Sequence, residues 1–356
     1  MKKFWSMSSN NNPISFITIT RVLTCEDLNK VSRTLNSVLN TSPNYAEYIL
    51  VVSDCVGASR KIKDLVSSFP RVSAVFTDCA NSNWSSQRNR GLSYASSEIV
   101  VFVDDDMEIE KGSVERLIET LLQDENIAAV SGAVLPYFSG SIIGKCQAVI
   151  SHPGGGYNLV QNFPDISDID FFHTGFCALR KKFFSDIKFD ETLKWGCEDM
   201  DISIRLKKKF PQVRFLFNPQ AVSYHPTRDS FYEIFRWMRR YGKGRADIFI
   251  RHNIPMQSFF IHKLFLPFSL SIMFPVFSPF FLLFFYLFYF FRLKKKFKHQ
   301  IENVATSKGE KVKVLFLLPF VFWVMNGAFD LGRLEFLFQH YVRKILLKSR
   351  DGGGKN

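Results

Sequence analysis

In the first third of the chain, apolar and polar positions fall into short blocks that alternate in kind. ISFITIT (14–20), EYILVVSD (47–54), VSAVFTD (72–78) and EIVVFVDDD (98–106) are apolar and rich in β-branched residues, and each predicts a strand. After the first of these, Leu28, Val31, Leu35 and Val38 recur at helical spacing. KIKDLVSSF (61–69) and the middle of SSQRNRGLSYAS (85–96) also read as helix. Strands alternating with helices predict an α/β fold, a mainly parallel sheet with helices on both faces. Ligands of such sheets sit beyond the carboxyl ends of the strands. Three of those ends carry aspartate: Asp54, Asp78 and the run Asp104, Asp105, Asp106.

Beyond about Pro226 the pattern changes. DSFYEIFRWMRRYGKGRADIFIRH sets Phe231, Ile234, Phe235, Met238 and Tyr241 on one helical face, with Arg236, Arg239, Arg240 and Lys243 opposite or beside it. This predicts a basic amphipathic helix suited to an anionic membrane surface, with an ordinary packing helix as the alternative. Residues 264–291 hold no charged residue, and a second apolar run spans 314–329. The first run is too long for one straight crossing of a ~30 Å hydrocarbon core and too short for two. With Pro267, Pro275 and Pro279 it reads either as a crossing or as a re-entrant hairpin. The loop between the runs is rich in lysine, which favours a cytoplasmic location, whereas two single crossings would place it outside. The expected organisation is a catalytic domain over 13–228, a basic interfacial segment over 229–262, a membrane region over 263–340 and a basic tail over 341–356.

Charge and cysteine content narrow the class. A formal net charge of +13 calls for an acidic partner. Most of the excess lies beside the apolar runs, which favours anionic lipid or a phosphorylated substrate and disfavours nucleic acid. The six cysteines form no CxxC pair, which argues against a zinc site or a stapled secreted domain and suits a reducing compartment. No apolar run precedes Asn10–Asn12, so no signal peptide is expected.

Three adjacent carboxylates after a fully apolar strand repel one another. They read either as a solvated turn capping the next helix, KGSVERLIETLL, or as ligands of a hard divalent cation, Mg2+ or Mn2+, completed by substrate phosphates. In an extended chain residues i and i+2 point the same way, so Asp104 and Asp106 are expected to share an ion while Asp105 faces a ribose or a backbone donor.

At this point the sequence resembles a family. RNRGLSYASSEIVVFVDDDM is similar to the family 2 glycosyltransferases of the GT-A fold, membrane-attached and bacterial in type. Their signature is an Arg-Asn-x-Gly helix, a buried strand and an acidic DxD element. FITITRVLTCEDLNKVSRTLNSVL stands in the place of the family's opening strand and helix. YILVVSDCV stands in that of the second strand, where an aspartate contacts the nucleotide base. Here Ser53, Asp54 and Cys55 replace two acidic residues and a glycine, so only Asp54 carries over. The family's Pro-Thr-x-Asn is reduced to Ile19, Thr20, Arg21 and Val22, leaving Thr20 on the nucleotide side. The resemblance implies that Thr20, Asp54, Arg88, Asn89, Asp104 and Asp105 bind the nucleotide-sugar. Arg88 reaches a phosphate or the base edge, with helix packing as its alternative.

A second acidic stretch extends the resemblance. FDETLKWGCEDMDISIRL is similar to the family's Phe-Asp-Glu, glycine-containing loop, Glu-Asp-x-Asp and helical Arg-Leu. Read alone, its acids suit a helix N-terminus. By resemblance Asp199 is the general base of an inverting enzyme, Glu198 binds or orients the acceptor, and Asp201 caps the helix with Arg205 as an ion-pair partner. NPQAVSYHPTRDS is similar to the family's Pro-x-Ala-x-x-x-His, which makes His225 a metal or pyrophosphate contact or a structural histidine. Trp195 and His173 are expected to line the acceptor pocket, although a core role for Trp195 is equally compatible with the sequence. EIFRW (233–237) is similar to the Gln-x-x-Arg-Trp element of processive synthases, but the surrounding membrane helices of a synthase are lacking, which indicates single transfer.

The expectation is a metal-dependent inverting hexosyltransferase of the inner membrane with its catalytic domain in the cytoplasm. It moves a sugar from a nucleotide-sugar, of the UDP class, to a lipid-linked or glycan acceptor for surface polysaccharide. The competing classes are an Mg2+-dependent phosphotransfer enzyme, for which no glycine-rich phosphate loop is present, and a membrane scaffold, which the intact Asp104, Asp106 and Asp199 disfavour.

Overall fold

The computed structural model describes residues 13–41, 45–138, 140–260, 270 and 272–351. The N-terminal segment read for a signal peptide, residues 264–269 and 271 of the first apolar run, and the last residues of the tail lie outside the described residues. In chain order the elements are β1 (Ile14–Val22), α1 (Cys25–Thr41), β2 (Glu47–Asp54), α2 (Ser59–Ser67), β3 (Val72–Thr77), α3 (Trp84–Tyr94) and β4 (Ile99–Val103). Then come β5 (Glu108–Ile109), α4 (Ser113–Leu121), β6 (Ile127–Tyr137), α5 (Ile142–Ile150), α6 (Gly156–Asn162), β7 (Ser167–Asp168) and β8 (Phe176–Arg180). The chain continues through α7 (Glu198–Lys209), β9 (Arg214–Pro226), α8 (Phe231–Arg251), α9 (Ser278–Lys296), α10 (Lys298–Val304) and α11 (Lys308–Asp351). These divide into two compact units. The first holds the chain up to Val134, Phe163–Glu191 and Ile202–Tyr224; the second holds Leu135–Asn162, Thr192–Asp201 and the chain from His225 onward.

The first unit is organised by a sheet of order β3-β2-β1-β4-β8-β6-β9-β5, with β7 on β9. The β3-β2-β1-β4 part is parallel throughout. The rest is not: β8 runs antiparallel to β4 and β6, and β5 and β7 run antiparallel to β9. The sheet is therefore mixed rather than mainly parallel. Alternation along the strands builds a core on each face. Phe16, Tyr48, Leu50, Val52, Val101 and Val103 meet Val31, Leu35, Ile62 and Leu117 on one side. Ile17, Ile49, Val51, Val100 and Phe102 meet Leu92, Ile202 and Leu206 on the other. Gly91 lets α3 lie against the strands, since a Cβ there would fall 2.5 Å from the Ile17 side chain.

The second unit is helical. The α8 helix expected at a membrane surface packs along α11 through small residues: a Cβ on Gly242 would lie 2.0 Å from the Phe329 carbonyl oxygen. Its basic side stays open, with Arg236, Arg239 and Arg240 exposed. Cys146, Ile234, Tyr289, Leu293, Val314 and Leu318 form its core. One side of α9 is not covered: Phe280, Phe284 and Phe291 are 69%, 73% and 62% exposed. Two helical segments, Pro275–Lys296 and Lys308–Val342, are long and apolar enough to cross a membrane.

Candidate functional site

In the order β3-β2-β1-β4, chain connections leave β1 and β4 in opposite directions, which opens a crevice at their carboxyl ends. Thr20 stands near the end of β1, and Asp104–Asp106 follow β4. These three residues form a turn, not an extended chain: the Met107 amide donates to the Asp104 carbonyl at 3.3 Å. The i, i+2 argument for a shared direction therefore fails, because the strand already ends at Val103. The turn is anchored from below. Tyr48 and Thr18 share a buried hydroxyl–hydroxyl hydrogen bond of 2.5 Å, and Thr18 donates to the Val103 carbonyl at 2.8 Å. The Asp104 amide donates to the Gly175 carbonyl at 2.9 Å.

Each carboxylate of the turn has a distinct environment. The Thr20 hydroxyl donates to Asp105. Burial first, then the neighbouring Asp106 charge, push the Asp105 carboxyl up to about 7, against the pull of Thr20. The buried Arg88 guanidinium reaches the half-exposed Asp104 carboxylate at 3.4 Å and lies over the Phe102 ring. Lys30 on α1, which sequence reasoning missed, feels the charges of Asp105 and Asp106. Burial lowers its pKa, but Asp27 and these two acids leave it raised. Only its helical position, one turn behind the Asp27 cap, could have signalled it.

Other predicted nucleotide contacts turn back on the protein. Asp54 accepts the Val56 and Ala58 amides at 3.2 and 2.9 Å and the Ser59 hydroxyl at 2.6 Å, closing the start of α2. Burial opposes its ionisation, but these donors hold it below the usual carboxylate range. The Asn89 amide donates to the Phe189 carbonyl and the Glu191 carboxylate and accepts from the Phe189 amide, all within 2.9 Å. It clamps the loop before the second acidic stretch. His173 is partly buried, with neither ring nitrogen reaching solvent. Burial pulls its pKa down to about 4, and the Gly132 backbone resists weakly.

The second unit holds Glu198–Asp201, at the start of α7. They follow a loop in which Gly196 and Cys197 both have positive φ, 95° and 66°. Burial, then Asp199 and Glu198, push the Cys197 thiol well up. Asp199 accepts the Met200 amide at 2.8 Å, and the helix N-terminus favours its charge. Asp201 is more than a cap: His252 Nε2 donates to its buried carboxylate at 2.8 Å. Arg205, the partner expected for Asp201, donates to the Lys188 carbonyl at 2.7 Å. Trp195 lies under the Lys243 ammonium, 4.6 Å from its ring centroid. His225 Nδ1 bonds the Pro226 carbonyl at 2.7 Å, and its ring packs edge-on against His152.

Cys55 and Cys79, which follow β2 and β3, form a disulfide, contrary to the expectation of wholly reduced cysteines. The two parallel strands end side by side, so the Cα atoms lie 5.4 Å apart, within bridging reach.

The described residues contain no group of three His, Cys, Asp or Glu side chains gathered as a metal site. Hard oxygens from Asp104 and Asp106 without a third protein ligand still fit Mg2+ or Mn2+, which retain water and take phosphate oxygens as further ligands.

Residues 22–188 match the family profile described as Glycosyl transferase family 2. The structure is similar to a mannosyltransferase, PcManGT, from Pyrobaculum calidifontis, solved in complex with GDP-Man and Mn2+. The two share 15% identity at a TM-score of 0.57, over 95% of this chain and 91% of that one. GalNAc-T7, solved with UDP, GalNAc and Mn2+, matches 61% of this chain and 43% of its own at 16% identity and a TM-score of 0.48. Among curated proteins no significant match is found.

Proposed function

From the match of residues 22–188 to the family 2 glycosyltransferases we propose that the chain transfers a sugar, with inversion, from a nucleotide-sugar of the UDP class to a hydroxyl of a membrane-presented acceptor. The acceptor is a lipid-linked saccharide used for surface glycan synthesis, and the catalytic part faces the cytoplasm at the inner membrane. The observation that carries this reading is the acidic turn at the mouth of β4, held by Thr20 and Arg88 beside the end of β1. The likeness in fold to a mannosyltransferase that binds GDP-Man and Mn2+ supports a nucleotide-sugar and a divalent cation here.

Asp104 and Asp106 would hold Mg2+ or Mn2+. The ion would neutralise the charge of the leaving diphosphate. Thr20 and Arg88 keep the turn in one geometry, so that donor binding does not have to order it. Asp199 takes the proton of the acceptor hydroxyl as its oxygen bonds to the anomeric carbon and the bond from that carbon to the diphosphate oxygen breaks. One displacement from the opposite face inverts the centre. The helix N-terminus keeps Asp199 ionised, and Glu198 orients the acceptor. The exposed apolar side of α9 supports membrane attachment, since such a surface is stabilised by leaving water. The test is release of nucleoside diphosphate from a panel of nucleotide-sugars, with and without Mn2+. Release from at least one donor, dependent on the cation, is expected. No release from any donor, or release indifferent to chelation, would overturn the reading.

A further inference from the structure

Within the second unit lies a cavity of about 450 Å³ that the mechanism above does not use. The basic side of α8 forms much of its wall, through Arg236, Arg239, Arg240 and Lys243. Arg228, just before α8, adds a fifth cation, and two indoles, Trp195 and Trp237, complete the lining with Glu233. Glu233 is the one carboxylate among the lining residues, and it is engaged in the capping box of α8 with Ser230. Glu335 on α11 binds Arg239 and Lys243, each at 2.7 Å. Even with it included, cations outnumber carboxylates around the space.

Two features set this cavity apart from a solvated helix face. The indoles are each covered by a cation, Arg228 over Trp237 at 4.2 Å and Lys243 over Trp195 at 4.6 Å, which gives rigid walls with an aromatic and a charged side together. The cations also crowd one another. Burial, with the neighbouring Arg236, opposes the charge of Arg240 while Glu198 supports it. Like charges gathered around a concavity are stabilised when an anion enters it. Guanidinium forks match phosphate oxygens in particular.

We propose that this cavity binds the phosphate or diphosphate group of an anionic acceptor, with Arg236 and Arg240 as its main ligands and Trp195 and Trp237 as walls for the attached group. The assignment rests on the glycosyltransferase reading and deepens it. The electrostatic link from Arg240 to Glu198 puts the cavity on the acceptor side, next to the carboxylates assigned to acceptor orientation and proton removal. The volume lies in the range of sites for small ligands, ~300–1,000 Å³. It follows that neutral saccharides lacking a phosphate are poor acceptors.

The test uses the full-length protein in detergent with EDTA present, so that cation-dependent donor binding is silent. Inorganic pyrophosphate, farnesyl diphosphate and farnesol are titrated while tryptophan fluorescence is followed. Pyrophosphate should bind the wild type and change the indole signal. Arg236→Gln combined with Arg240→Gln should weaken it by roughly tenfold or more, as expected for loss of charge-assisted hydrogen bonds. Both residues are exposed, so the variant should fold, and its melting temperature checks this. Replacing both by Lys should recover part of the affinity. Tighter binding of farnesyl diphosphate than of pyrophosphate identifies a lipid-linked group, and equal binding identifies a soluble phosphorylated one; farnesol should not bind. Unchanged pyrophosphate affinity in the Gln variant, or binding only when a divalent cation is supplied, would overturn the proposal. Nucleoside diphosphate release, scored separately, reports on the glycosyltransferase reading itself.

Discussion

The two acidic stretches, Asp104–Asp106 and Glu198–Asp201, use the same residue type in opposite surroundings. At the first, protein donors and burial absorb much of the charge: Thr20 holds Asp105, Arg88 holds Asp104, and Asp105 resists ionisation. At the second, a helix N-terminus and the field of Arg240 favour charge, and His252 donates to Asp201. In the proposed mechanism the strand mouth crowded with carboxylates is completed by a cation, and the helix start keeps a carboxylate charged and able to take a proton. Adjacency in sequence therefore does not define a role; the donors around each oxygen do.

The largest expected effect tests the first half of this contrast. Asp106→Ala should lower Mn2+-dependent nucleotide affinity by more than the roughly 10–100-fold that follows loss of a group merely orienting a metal ligand. Calorimetry with UDP and Mn2+ measures it, and unchanged affinity would remove Asp106 from the cation site.

A smaller effect is expected beneath the second stretch. A Cβ on Gly332 would lie 1.9 Å from the Arg239 carbonyl oxygen, so Gly332→Val should cost at least the ~1–3 kcal/mol of overpacking and disturb the α8 cations. Gly327→Ala, where a Cβ meets nothing, should be neutral or add up to about 1 kcal/mol. Thermal unfolding in detergent compares the two, and equal melting temperatures would contradict the close approach of α8 and α11.

The smallest effect appears only in acid. His173 precedes Gly175, whose carbonyl receives the Asp104 amide. Its folded pKa is depressed from 6.5 to about 4, so between those values the unfolded chain binds a proton that the folded chain refuses. Its stabilising effect is complete above about 6.5, falls as pH drops towards about 4 and is flat below. His173→Phe should flatten this slope in urea unfolding between those values. An unaltered slope would mean that His173 does not titrate there.

The parallel half of the sheet was legible because its strands are rich in apolar and β-branched residues and separated by helical periods. The antiparallel half was not. β5 and β7 have two residues each, too few to show a period. The acidic residues of both stretches were visible as composition, but their partners lie far off in sequence: Thr20 to Asp105 spans 85 residues and Asp201 to His252 spans 51. Asn89 matched a motif yet serves a loop 100 residues away. Gly242 in α8 and Gly332 in α11 cost helix stability and sit where the two helices approach closely.

The most direct test of the central claim is single-turnover transfer by Asp199→Asn, measured together with donor affinity. The substitution keeps shape and hydrogen bonding but cannot accept a proton. Turnover should fall by roughly 10²–10⁴-fold, with Mn2+-dependent donor affinity unchanged. Transfer at near wild-type rate, or a loss of donor affinity in proportion to rate, would contradict the division of labour between a cation-binding turn and a proton-accepting helix start.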